Sequence, residues 1–123
     1  MTTKEDRTAT QFVGTILALL YSKDYTQLPS DKVSLHSVFY ELGKTNADIY
    51  HFLEFDTRKP HPYSLALDEA LGNIQASNAL GRLNPGMTEF VLRSPIESYK
   101  SMFTQPELDR LGKIADELKD ILH

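Results

Sequence analysis

The sequence predicts a mostly helical α+β fold, on three observations. Apolar residues recur at helical spacing in four separated stretches. A strand, a turn built on Asn84-Pro85-Gly86 and a second strand follow the third of these stretches. The last stretch opens on Thr104-Gln105-Pro106-Glu107, where Thr and Glu have the spacing of a capping box. The chain has 123 residues, 41% of them hydrophobic, which suits one domain with one core.

The elements follow in order. Phe12, Val13, Ile16, Leu17 and Leu20 mark a first helix over about 8–22. Ser30 is placed to cap a second, over about 31–42, whose apolar face is Leu35, Val38, Phe39 and Leu42. Gly43 follows as a left-handed stop. Tyr50, Phe52, Leu53 and Phe55 make a short aromatic run that reads as a strand over 50–55. Pro60 and Pro62 make 56–63 a loop. Ser64 caps a third helix over about 64–80, with Leu67, Ala70, Leu71 and Ile74 inward and Gly81 as its stop. The hairpin then runs through Arg82-Leu83 and Thr88–Leu92. Ser94-Pro95-Ile96-Glu97 opens a short helix over about 95–103, and a final helix spans about 105–122. Gly14, Gly72 and Gly112 lie inside helices, where Gly costs about 1 kcal/mol relative to Ala. Close approach of neighbouring elements is one reason for such residues.

Three helices followed at once by a hairpin is the layout of a winged-helix core, here about 8–93, with 95–122 as a helical extension. The strand at 50–55 would complete its small antiparallel sheet. Within that core, Pro60-His61-Pro62-Tyr63-Ser64-Leu65-Ala66-Leu67-Asp68-Glu69-Ala70-Leu71 resembles a segment of Panacea-type, antitoxin-like proteins, in which a Gly-Pro-aromatic or Gly-Pro-Val turn opens a helix. Ala79-Leu80-Gly81-Arg82-Leu83 and Glu89-Phe90-Val91-Leu92 take the places of the strands that follow it. His61 stands where that family has Gly, and Leu17-Ala18-Leu19-Leu20-Tyr21-Ser22 replaces its basic-aromatic opening. The resemblance implies a regulatory or toxin-neutralising scaffold rather than an enzyme.

Charge bears on the partner. Seventeen acidic and thirteen basic residues give a net charge of -4. Between Ser64 and Gly81, the helix that would enter a DNA groove, there is no Lys or Arg. The candidate nucleic-acid contacts are Arg58, Lys59, Arg82 and Arg93, with Asn73 and Asn78 able to read adenine edges. A basic surplus is what phosphate binding needs, so a protein partner ranks above DNA. On the last helix, Leu108, Leu111, Ala115, Leu118 and Leu122 keep heptad spacing, widened by Ile114 and Ile121. That stripe packs on the domain's own core or on a second copy, and a homodimer is the expectation.

The chain lacks Cys, which removes disulfides, thiol catalysis and Cys-based metal sites. Four histidines offer few partners. His51 and Glu54 would point to opposite faces of a strand, His36 has no ligand one turn away, His61 has only Asp56 near, and His123 is terminal. No phosphate loop, His-Glu-x-x-His or nucleophile elbow is present, so neither a cofactor nor catalysis is expected. The longest apolar stretch, Phe12–Tyr21, is ten residues against the roughly 20 of a membrane span. The segment before it is charge-balanced, which does not suit a secretion signal. The resulting expectation is a cytoplasmic, non-catalytic regulatory or interaction module.

Overall fold

Helix α1 (Ala9–Ser22) lies at the centre of the fold in the computed structural model, which describes residues 8–29, 32–58, 60–82 and 89–122. Seven consecutive residues, Phe12 to Ala18, are buried, and Leu20 with them. A helix apolar on all sides must be covered on all sides. The covers are α4 (Leu65–Ala76), α5 (Gln105–Leu122) and a 3-10 helix (Ser94–Met102). Helix α1 starts in a capping box: the Thr8 hydroxyl accepts from the Gln11 amide at 3.1 Å, and the Gln11 side chain accepts from the Thr8 amide at 3.1 Å. Thr15, buried at mid-helix, has its hydroxyl 2.7 Å from the Gln11 carbonyl and 3.1 Å from that of Tyr99. This polar atom therefore ties α1 to the 3-10 helix.

The three-stranded antiparallel sheet has the order β1-β3-β2, from β1 (Gln27–Pro29), β2 (Leu80–Arg82) and β3 (Glu89–Leu92). In register, Leu28 faces Phe90, and Gly81 faces Val91. Leu28, Leu80, Phe90 and Leu92 are buried, so the sheet closes one side of the core. Pro29 sits at the end of an edge strand, where its missing N–H costs no ladder bond.

The predicted strand at 50–55 is a correction. Residues 47–52 form the short helix α3 (Ala47–Phe52), and the third strand comes from Gln27–Pro29 instead. Ile49 and Leu53 are both fully buried while His51 between them is exposed, and the Leu53 amide bonds to the Ile49 carbonyl at 2.8 Å, which is a helical and not a strand pattern. The aromatic residues between them go to different neighbours: Phe52 stacks on Phe12 at 4.4 Å, and Tyr50 meets Tyr40 at 5.7 Å. Helix α2 (Lys32–Gly43) and α5 match their predicted spans, whereas α4 ends four residues early.

The expected glycine stops are also corrected. No described Gly has a positive φ; Asp24 (φ 62) and Asn78 (φ 66) take the left-handed position. After α1 the Asp24 amide bonds to the Tyr21 carbonyl and that of Tyr25 to Leu20, both at 3.1 Å. After α4 the amides of Asn78 and Ala79 reach Gln75 and Ile74 at 3.0 and 3.3 Å. Both are Schellman endings, and short polar side chains tolerate the required φ. Gly43 lies within α2, pressed by the Tyr50 ring, and Gly81 lies within β2. Ser94, which the Ser-x-x-Glu spacing of 94–97 predicts as a cap, lies instead inside the 3-10 helix, which is flanked by Arg93 without a side-chain bond. The Thr104 cap forms, with its amide 2.9 Å from the Glu107 carboxylate. Ser30 and the Asn84-Pro85-Gly86 turn lie outside the described residues.

The helix glycines separate into two kinds. A Cβ on Gly14 would stand 2.7 Å from the Tyr99 ring, whereas Gly72 and Gly112 have nothing within 4 Å. Gly14→Ala should therefore destabilise the fold by about 1–3 kcal/mol through overpacking. Gly72→Ala and Gly112→Ala should each stabilise it by about 0.5–1 kcal/mol. Urea denaturation of the three variants checks the signs.

Candidate partner surface at the head of α4

The head of α4 is fixed by the residue before it. Ser64 is fully buried, and its hydroxyl accepts from the Leu67 amide at 3.1 Å, capping the helix. Its own amide donates to Nδ1 of His36, on α2, at 2.9 Å. The His36 ring is 1% exposed and lies flat on Tyr63, with centroids 4.8 Å apart and planes within 4°. Tyr63 exchanges two backbone bonds with Asp56, of 2.7 and 3.1 Å, which close the segment 56–63. The Tyr63 hydroxyl donates to Asp68 at 3.3 Å.

Beside this joint opens a cleft of about 550 Å³, lined among others by Glu54, Phe55, Arg58, Tyr63 and Leu65. Leu65, the first residue of α4, is 59% exposed, the most exposed large apolar side chain among the described residues. Tyr50, 38% exposed, meets Phe55 edge-on at 6.0 Å and extends the apolar surface. Partial desolvation pushes the Tyr50 phenol above its usual pKa; Tyr40 adds to the shift and Lys44 opposes it. Arg58 donates through its backbone amide, Nε and Nη2 to the Asp56 carboxylate at 3.0, 3.1 and 3.3 Å. That hydrogen bonding, and then the charge of Asp56, hold the guanidinium pKa above its usual value.

The predicted nucleic-acid contacts do not form one cluster. Arg58 lies in the segment ahead of α4. Arg93 lies past its foot, where its amide bonds to Ala79 and its guanidinium covers Gly81. A 12-residue helix, about 18 Å long, lies between these positions. Arg82 contributes its backbone to β2, paired with Phe90, and Lys59 lies outside the described residues. Asn73 donates to the Thr10 hydroxyl at 3.0 Å, and Asn78 ends α4.

The histidines are equally dispersed. His51 is on α3 with its ring edge-on to Phe52, not on a strand. The Asp56 carboxylate, the one group expected near His61, is engaged by Arg58. His123 lies outside the described residues. Among the described residues no three His, Asp or Glu side chains could hold a metal ion together. No described helix is long and apolar enough to cross a membrane.

The stripe on α5 expected to serve a dimer faces inward. Leu111, Ile114, Ala115 and Leu118 are buried in the chain's own core, because α1 needs that side covered. Leu108 and Leu122 are half-buried, and Ile121 is 46% exposed. The polar side of α5 is also partly engaged, since Glu117 accepts from Thr45 at 2.8 Å and Arg110 pairs with Asp48 at 3.0 Å. Sequence reasoning did not find the His36–Ser64 contact or the exposed Leu65. Leu65 had a signal, being the apolar residue of α4 that falls off the Leu67–Ala70–Leu71–Ile74 face.

Leu118→Ala should cost about 2–5 kcal/mol of stability, as a buried truncation does. Ile121→Ala should cost under about 1 kcal/mol. Urea denaturation at two protein concentrations checks both; a Leu118 cost that vanishes on dilution would return the stripe to a dimer interface.

No family model matches the chain, and no curated protein or solved structure is significantly similar to it.

Proposed function

We propose that the chain is a non-catalytic interaction module on a winged-helix-like scaffold, and that it binds another protein through the head of α4. The scaffold reading is supported by the order α1-β1-α2-α4-β2-β3, with α3 inserted, and by the sheet order β1-β3-β2, in which the last strand is central. In such a scaffold α4 is the helix offered to a partner. One observation carries the choice of partner. The exposed stripe of α4 is Leu65, Glu69, Gly72, Asn73 and Ala76, one acid and no base. A polyanion would meet repulsion along it, whereas a protein surface can cover Leu65 and the cleft beside it. The likeness of residues 60–71 to Panacea-type proteins supports the same class, a regulatory or toxin-neutralising scaffold. The second reading, a DNA-binding regulator, is favoured only by Arg93 and the backbone position of Arg82 beside the foot of α4.

Fluorescence anisotropy with a labelled duplex, at about 50 and about 200 mM salt, separates the two readings. The expected result is no binding tighter than about 10⁻⁴ M. Micromolar binding that weakens steeply with salt would overturn the protein reading. A photoreactive residue in place of Leu65 should also give a discrete protein adduct in cells, and one in place of Ser98 should not.

A further inference from the structure

Among the described residues His36 is the only ionisable side chain that the fold buries. It sits where three parts meet: its own helix α2, the segment 56–63 through the stacked Tyr63, and the head of α4 through the Ser64 amide. An imidazole that accepts at Nδ1 carries no proton there, so the ring is the neutral tautomer with its hydrogen on Nε2. A second proton has only Nδ1 to go to. It would turn the acceptor into a donor facing a donor, and would place positive charge against the end of α4 whose free amides are already positive.

We infer that His36 is a proton-operated latch: neutral, it holds Ser64 and closes the segment 56–63; protonated, it releases Ser64 and lets that segment open. Loss of the acceptor leaves a buried amide at Ser64 unpaired, and opening toward water relieves it. Tyr63 transmits the movement, because the same residue stacks on the ring and closes the segment on Asp56. Among the described side chains, the titratable and charged groups that the chain places in or beside the joint are Tyr63, Asp56, Arg58 and His61 of the segment, Asp68 of α4 and Tyr40 one turn along α2. Asp68 accepts from the Tyr63 hydroxyl, and Asp56 holds Arg58. Phe55, Arg58, Tyr63 and Leu65 line the cleft, so opening the segment reshapes it. That functional consequence rests on the partner reading above, whereas the latch does not.

Hydrogen exchange at about pH 7.5 and about pH 5, corrected for the intrinsic rate at each pH, tests the latch across the range where imidazoles take up a proton. In the wild type, protection of the Ser64 amide and of 56–63 should fall about tenfold or more, while α1 keeps its protection. His36→Asn places an amide oxygen where Nδ1 was, accepts the same bond without titrating, and should show no such fall. His61→Asn should fall as the wild type does. The proposal is overturned by unchanged wild-type protection, by a His36→Asn protein that follows the wild type, by a fall that His61→Asn abolishes, or by α1 losing protection in step. If His36→Asn does not fold, the wild type and His61→Asn decide. No partner is present in this experiment, so its failure leaves the partner reading standing.

Discussion

Helix α1 has no charged residue from Ala9 to Ser22, and the rest of the chain is arranged by the need to cover it. A helix of 14 residues that is apolar nearly all round cannot lie on a surface. It needs neighbours on every side, and they come mainly from the second half of the chain, residues 65–122. Helix α4 covers one flank, α5 another, and the 3-10 helix reaches it closely enough that Gly14 must lack a side chain beneath Tyr99. The inward turn of the α5 stripe follows from this. An isolated amphipathic helix of that pattern could pair with its own copy, but here α1 is nearer and has an open side to fill. The sheet is the smallest cover, three short strands closing what the helices leave.

This constraint also explains what could be seen in the sequence. The spans of α1, α2 and α5 were legible because each has a long apolar period, and burial in the common core reads directly as that period. The antiparallel pairing of β2 with β3 was legible from the Asn84-Pro85-Gly86 signal, although β2 runs over Leu80–Arg82 and not through Arg82-Leu83. The third strand was not. Gln27–Pro29 is three residues with no alternation, and it pairs only because β3 lies beside it, sixty or more positions later. The aromatic run at 50–55 carried the stronger strand propensity, and tertiary context overrode it, since a strand that buried Ile49 and Leu53 would bury His51 with them, whereas the helix leaves His51 exposed. The helix stops failed for a related reason. Gly suits the left-handed position best, but Asp24 and Asn78 can adopt it, and Gly43 and Gly81 answer a different need, the close approach of Tyr50 and Arg93.

The candidate site was legible in part. The absence of basic residues from α4 could be counted without any structure, and it remains the argument for the proposed class of partner. Its weight increases once the exposed stripe is known, because the residues that face outward are the ones a partner meets. Placement of the arginines was not legible. Arg58 and Arg93 are neighbours of α4 in any winged-helix reading, yet one belongs to its head and the other to its foot, and each is occupied locally, by Asp56 or over Gly81.

Least visible in advance was the joint at Ser64. A Ser before an apolar period predicts a cap, and that cap forms. What the spacing cannot show is that the same residue donates its amide to a histidine 28 positions earlier. The two bonds act in series. The hydroxyl fixes the first turn of α4, and the amide fixes the hydroxyl's position by fixing the backbone that carries it. A residue with both roles couples the helix geometry to the state of one buried ring. Leu65 follows directly in the chain, so the exposed end of α4 inherits that coupling. The backbone turn that carries it is held through Ser64 by His36, the only buried group among the described residues able to change charge.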